Sequence, residues 1–568
     1  MSSSIKLSLC VDRQLDEFVP DNLNINYDYS QDLICGTIYG KNPKQKNEDI
    51  EYSNELYSEA IKLLSDILNK FHRTSWSESE WEVLIGHFLM RSSRAFINRY
   101  KGLQNILSFN NVTQIKISKK NLSLLSAQNS YQSIWNFSNV HWNEQIYSHL
   151  VVKIYKGKFL INHQEAALDK TVDLKKKSYV FFINFLKRFA KLIRIFQKRD
   201  NIFFSNLYVN FFEYLKINFL FRQFPQFHYE EYVPENTELD EYSREKLIKK
   251  IPNSTEVDIR YLLEIVILSL PKCYLEDYVS LYNQALSVNW PKQPKYIVTS
   301  NSFDTNDLFK MWIVTKRRHK SDYIVLQHGA SYGTDRLSKP SIEEKTADKF
   351  ITWGWSADNI KYVKGGMQIP KYIFNNANKS EKILLIQRAP LQKVRTYDVN
   401  FDYYQNFIKQ EKFICDLNKN IYNKLNVRLQ SDWRHHKFED FQRWSDLIKE
   451  DSIDTGLKSM NKVYSNYGLL IFTYESSGFL QALSGNFPTI CIWDNVLSFA
   501  TSEVKEHYYN MMDAGIIYED YSDLAKFLNS NDIKLWWASE KVQKIRLRFL
   551  REFCTDTSMI SVIKSELT

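Results

Sequence analysis

Gln327-His328-Gly329, with Tyr332-Gly333 just beyond, closes the apolar run that begins at Tyr323. An imidazole placed after a buried strand and before a glycine can bind a phosphate or move a proton; the alternative is a turn histidine tied to backbone. A second group, Tyr474-Glu475-Ser476-Ser477-Gly478, follows the run Gly468–Thr473. Two serines opening a helix present hydroxyls and unpaired N–H groups to an anion. Beside them Glu475 can hold a ribose hydroxyl or act as a base. The plain alternative is a serine N-cap. Arg388 ends the run Lys382–Gln387, and Arg428, with Asp432 and Trp433 nearby, sits in Asn426–Gln430. An arginine at a strand terminus suits bidentate phosphate or carboxylate binding, or a surface salt bridge.

Asp304 and Asp307, in Asp-x-x-Asp spacing after Lys295–Ser300, could ligate a metal. Asp307 is equally a first-turn helix acid, and that reading is preferred, so neither a metal nor another cofactor is expected. Of Trp353 and Trp355, one reads as core and the other as a ring able to stack on a base or sugar.

The elements that must hold these residues alternate. Ten of the fifteen glycines fall between Gly329 and Gly515, in turns directly after short apolar runs. Strands are predicted at 295–300, 322–327, 349–354, 382–387, 426–430, 468–473 and 488–493, with helices at 258–269, 306–318, 400–424, 437–450, 477–484 and 498–514. Such βαβ alternation argues for parallel sheets with crossover helices, whose ligands bind beyond the strands' carboxyl ends. Two Rossmann-like sheets with a break near 372–381 fit the pattern. Residues 1–110 read as helical, Ser77 and Glu80 forming a capping box. Residues 111–165, including His149–Tyr155, read as short β-like runs, and 532–567 as one long helix.

Composition narrows the function classes. At 568 residues, 44% hydrophobic and 25% charged, the chain is globular and large enough for two or three domains. Net charge is +9, and the stretch Lys175–Arg199 alone carries nine Lys or Arg with no acid. Basic residues are not spread over a face, as duplex binding would require, so no nucleic acid partner is expected. Within Tyr179–Arg199, Lys187, Lys191, Arg194 and Lys198 share one helix face opposite Phe182, Phe185 and Phe189. That pattern suits an anionic membrane surface or a solvated outer face. The six cysteines show no metal-ligand spacing. With no signal-peptide pattern, and Tyr261–Leu270 too short to span a bilayer, a cytoplasmic protein, soluble or peripheral on the inner membrane, is expected.

The segments QHGASYG (327–333), ADKFITWGW (347–355), TYESSGFLQALSGNFPTICIWD (473–494) and DAGIIYED (513–520) together resemble a transferase family of bacterial surface-polysaccharide gene clusters. That family is similar to GT-B glycosyltransferases and related to capsule Kdo transferases. The resemblance implies an α/β, GT-B-like fold: two Rossmann-like domains facing a cleft, with a long helical N-terminal elaboration and a C-terminal crossing helix. The domains would be 1–258 (acceptor region), 259–374, 375–531 (donor binding) and 532–568. It implies a metal-independent glycosyltransferase with a nucleotide-sugar donor, a CMP-linked Kdo or nonulosonic acid, and a surface glycan or glycolipid acceptor. His328, Glu475 and Asp304 would be catalytic. Gln327, Gly329, Tyr332, Gly333, Arg388, Arg428, Asp432, Tyr474, Ser476, Ser477 and Gly478 would bind the donor. A GT-B-fold sugar-nucleotide epimerase and a non-enzymatic membrane scaffold are the rival readings.

Overall fold

The computed structural model describes residues 5–9, 43–109, 112–137, 139–165, 202–209, 211–221, 230–235, 237–374, 380–388, 403–431 and 440–567. These form two compact units: one takes in the described residues up to 326 together with 340–349, the other 327–339 and the described residues from 350 onward. The limits of these two units do not coincide with the expected boundaries at 258, 374 and 531. The loop after His328 and the C-terminal helices both belong with the second unit.

In the first unit, helices Pro43–His72 and Glu78–Phe109 pack on each other. The second starts at the expected capping box, the Ser77 amide donating to Glu80 Oε2 at 2.6 Å and the Glu80 amide to Ser77 Oγ at 3.2 Å. Strands β1 (Ile5–Ser8), β2 (Val112–Ser118) and β3 (Leu160–Gln164) form a small parallel sheet. Strands β4 (Ile202–Ser205), β5 (Tyr296–Thr299) and β6 (Asp322–Leu326) pair in parallel, and helix Asp307–Arg317 lies between β5 and β6 in sequence. The β-like reading of His149–Tyr155 is corrected: most of it is the end of helix Val140–Ile154. Asn139 caps that helix, and the buried Trp142, Ile146 and Leu150 set a helical period that overrides the β-branched pair Val151-Val152.

Of β7 (Lys349–Thr352), the residues Phe350–Thr352 belong to the second unit and pair in parallel with β8 (Tyr362–Lys364). The main sheet of that unit has six parallel strands: β9 (Ile383–Ile386), β10 (Leu425–Arg428), β11 (Ile453–Asp454), β12 (Leu469–Phe472), β13 (Thr489–Ile492) and β14 (Ile517–Tyr518). Their spatial order is β11-β10-β9-β12-β13-β14. Renumbered from the first strand, this is 3-2-1-4-5-6, the order of doubly wound dinucleotide-binding sheets. β9, β12 and β13 are buried along their whole length, as sheets covered by helices on both faces require. The order reverses between β9 and β12, so the ligand crevice of such a sheet opens beyond Ile386 and Phe472.

The single long C-terminal helix is also corrected. Three helices run Ile533–Ala538, Glu540–Phe553 and Met559–Leu567. Ser539 caps the second, and beyond it the Thr555 amide donates to the Trp353 carbonyl at 2.8 Å while its own carbonyl accepts from Met367. Backbone pairing there replaces helical pairing.

Candidate active site at the C-terminal sheet

Two chain segments expected to carry chemistry come together in the second unit. Ser476 is the N-cap of helix Ser477–Ser484, its Oγ accepting from the Phe479 amide at 3.2 Å. The next hydroxyl, Ser477 Oγ, accepts from the Ala330 amide at 3.3 Å. The QHG loop thus rests on the helix start that follows β12. Each serine hydroxyl still carries its own hydrogen to donate. Within the loop, Tyr332 Oη and His328 Nδ1 are 3.3 Å apart and the two rings meet edge-on.

Glu475 lies between the same segments. Thr334 Oγ1 is 3.0 Å from both of its carboxylate oxygens, and Tyr508 Oη, from helix Ser502–Asp513, donates to Oε1 at 2.7 Å. Burial pushes the Glu475 carboxyl up to about 7, against the opposing pull of the Tyr508 and Thr334 hydroxyls. A carboxyl near neutrality can both take and give a proton at working pH. Its surroundings are fixed by backbone: Thr501 donates through Oγ1 to the Gly333 carbonyl at 2.8 Å and through its amide to the Thr334 carbonyl at 2.9 Å.

At the end of β9, the Arg388 amide donates to Thr473 Oγ1 at 3.0 Å, which joins the two strand ends at the switch point. Its guanidinium lies 5.5 Å from the centre of the Tyr474 ring. Arg388, Tyr474, Glu475, Ser476 and Ser477 therefore all follow the carboxyl ends of β9 and β12, the two strands between which the sheet order reverses. Gly329 has open space where a Cβ would point, with nothing within 4 Å.

Other expected site residues have structural duties. Gln327 is buried: its Oε1 accepts from the Trp353 amide at 2.8 Å and Trp355 Nε1 at 2.9 Å, and its Nε2 donates to the Gly329 carbonyl at 2.9 Å. Its amide shapes the loop and is not open to a donor. Trp353 and Trp355, one of which was expected to stack on a ligand ring, are both buried, and Trp355 lies against Gly333, where a Cβ would come within 2.5 Å of the indole. Gly333, at φ 77°, is required by that contact and by its backbone. Gly478 likewise lets the helix start approach Phe472, whose ring would lie 2.9 Å from an added Cβ. Arg428 is held by Asp454 and by the Lys458 carbonyl, contacts of the salt-bridge kind. Asp304 belongs to the first unit, where Arg91 grips both of its oxygens at 2.7 and 2.8 Å. Burial would raise its carboxyl pKa, but Arg91 holds it below the usual range, which suits an ion pair and not a base. Asp307 is the first residue of a helix that Asn306 caps, a buried acid paired with Lys310 at 2.9 Å. Asp432, Lys187, Lys191, Arg194 and Lys198 lie outside the described residues.

Thr334, Thr473 and Tyr508 are residues that sequence reasoning missed. Thr334 directly follows the glycine of the QHG loop and Thr473 directly precedes Tyr474, so both were within reach; Tyr508 has no local signal. Among the described residues no three His, Cys, Asp or Glu side chains gather as a metal site would need, and no helix is long and apolar enough to cross a membrane.

Over residues 24–567 the sequence matches the profile of the LIC12162 family transferases. The chain belongs to that family. As a LIC12162 family transferase it places the QHG loop, the Glu475 cluster and both switch-point strand ends within the matched span. No curated protein matches the chain. Among solved structures it is similar to that of WaaG, a glycosyltransferase involved in lipopolysaccharide biosynthesis, at 8% identity, covering 51% of this chain and 94% of that one. The TM-score of 0.27 is too low for that likeness to carry any argument.

Proposed function

We propose that this transferase is a glycosyltransferase of GT-B type that moves a sugar from a nucleotide-sugar donor onto a bacterial surface glycan or glycolipid. The observation that carries the reading is the convergence at the β9/β12 switch point. There a helix start with two hydroxyls, an arginine and a carboxyl poised near neutrality meet where a doubly wound sheet takes a nucleotide.

In the proposed step, an acceptor hydroxyl attacks the anomeric carbon, and the bond from that carbon to the phosphate oxygen breaks. The nucleotide leaves with the electron pair. Arg388, the Ser476 and Ser477 hydroxyls and the positive end of helix Ser477–Ser484 stabilise the charge that develops on the phosphate. Glu475 takes the proton of the acceptor hydroxyl, and His328 completes the polar wall on the loop side. The donor is proposed as CMP-linked Kdo or nonulosonic acid because the loops resemble those of capsule-type transferases. The basic stretch Lys187–Lys198 is proposed to keep the enzyme at the anionic inner face of the membrane.

Nucleotide release from CMP-Kdo, followed with and without a lipid-linked glycan acceptor, tests the reading. Release that depends on acceptor is expected. Release of free sugar at the same rate without acceptor would instead fit the epimerase or a hydrolase.

A further inference from the structure

Gln387 immediately follows β9, one residue before Arg388, and is 8% exposed. Its Oε1 accepts from Gln410 Nε2 at 3.1 Å. The same Gln410 nitrogen donates to Tyr521 Oη at 2.9 Å, and that hydroxyl donates to Asn406 Oδ1 at 3.1 Å. As the amides stand, donors and acceptors alternate correctly along this chain. Turning the Gln387 amide alone would set an NH2 against an NH2. In the orientation observed, Gln387 Nε2 is buried and, among the described residues, has no hydrogen-bond acceptor.

A buried amide nitrogen without an acceptor is rare in folded chains and calls for a specific explanation. This one stands at the carboxyl end of the first strand of the doubly wound sheet, beside the switch point, where the neighbouring strand end supplies Thr473 and Tyr474. A network of three further polar side chains holds its other atom in place, so the donor is presented in a fixed position before any ligand arrives.

We propose that Gln387 Nε2 is a ligand-recognition donor, giving a hydrogen bond to an oxygen of the bound nucleotide. The assignment rests on the nucleotide reading above and adds to it a specificity-determining contact beside Arg388. A site built to donate to such an oxygen discriminates against ligands that lack it, because the amide is then left buried and unpaired.

Gln387→Glu is the direct test. It keeps the oxygen that Gln410 needs and replaces only the donor with a second oxygen. Calorimetric titration with CMP, CDP, UDP and GDP identifies the tightest nucleotide for the unaltered protein. Its nucleoside and inorganic phosphate then serve as arms that separate base from phosphate contact. At pH 8 the variant is expected to bind that nucleotide more than about tenfold more weakly, and to recover as pH falls and the carboxyl regains a hydrogen. Gln387→Met, which keeps the volume but removes both polar atoms, is expected to weaken binding without recovery at low pH. Unchanged affinity in either folded variant overturns the assignment while leaving the nucleotide reading intact. No binding of any nucleotide to the unaltered protein overturns both.

Discussion

The amide of Ala330 donates to Ser477 Oγ at 3.3 Å, which joins the histidine loop to the helix start after β12 although the two are far apart in sequence. Both serines therefore have structural duties alongside any contact with a ligand. Ser476→Ala removes the N-cap bond to Phe479 and is expected to lower stability by about 1 kcal/mol. Urea denaturation of the single variants checks this, with Ser477→Ala expected to cost no more than the cap.

Glu475 makes stability depend on pH. Its carboxyl is raised from 4.5 to about 7 in the folded chain, so folding favours the protonated form. A raised group contributes fully below its unfolded value, and that contribution is lost as pH rises through the folded one. Between pH 4.5 and 7 the unaltered protein is thus expected to lose stability relative to Glu475→Gln. The gap should reach up to about 3 kcal/mol by pH 8. Parallel denaturation curves for the two proteins at pH 5 and 8 measure it; identical pH slopes would show that Glu475 titrates normally.

Thr334 and Tyr508 act through Glu475. Each hydroxyl favours the ionised carboxylate, so Tyr508→Phe should move the acid limb of the kcat/KM profile upward by about one pH unit. Thr334→Val should move it in the same direction, and Thr334→Ser, which keeps the hydroxyl, should restore it. An unmoved limb with lowered activity would assign both residues a packing role only.

Two glycines of one loop should behave oppositely. Gly333→Ala meets the Trp355 ring at 2.5 Å with φ at 77°, so the variant is expected to lose on the order of 2 kcal/mol or more. Gly329→Ala adds a methyl to open space and should fold as well as the unaltered chain while weakening ligand binding. Melting curves paired with nucleotide titrations separate the two effects.

The parallel strands and helix Ser477–Ser484 were legible in the sequence because each is a short apolar run ended by a turn, and because Ser476 is a strong cap. Local pattern carries that much. It does not say which polar atoms are already committed. Gln327 and Arg428 looked like ligand contacts, yet their partners, Trp355 and Asp454, are 28 and 26 residues away and come near only on folding. The Glu475 cluster was half visible for the same reason: Thr334 and Tyr508 reach it across 141 and 33 residues. The long terminal helix was misread because a helical period continues through Ser539, where only the cap geometry reveals the break.

Calorimetric titration of nucleotides into the unaltered protein and into the combined Ser476→Ala, Ser477→Ala variant bears most directly on the switch-point site. One nucleotide is expected to bind the unaltered chain and to bind the folded double variant more than about tenfold more weakly, a loss of over 1.4 kcal/mol. Equal affinity in the two proteins would contradict a phosphate site at the start of helix Ser477–Ser484.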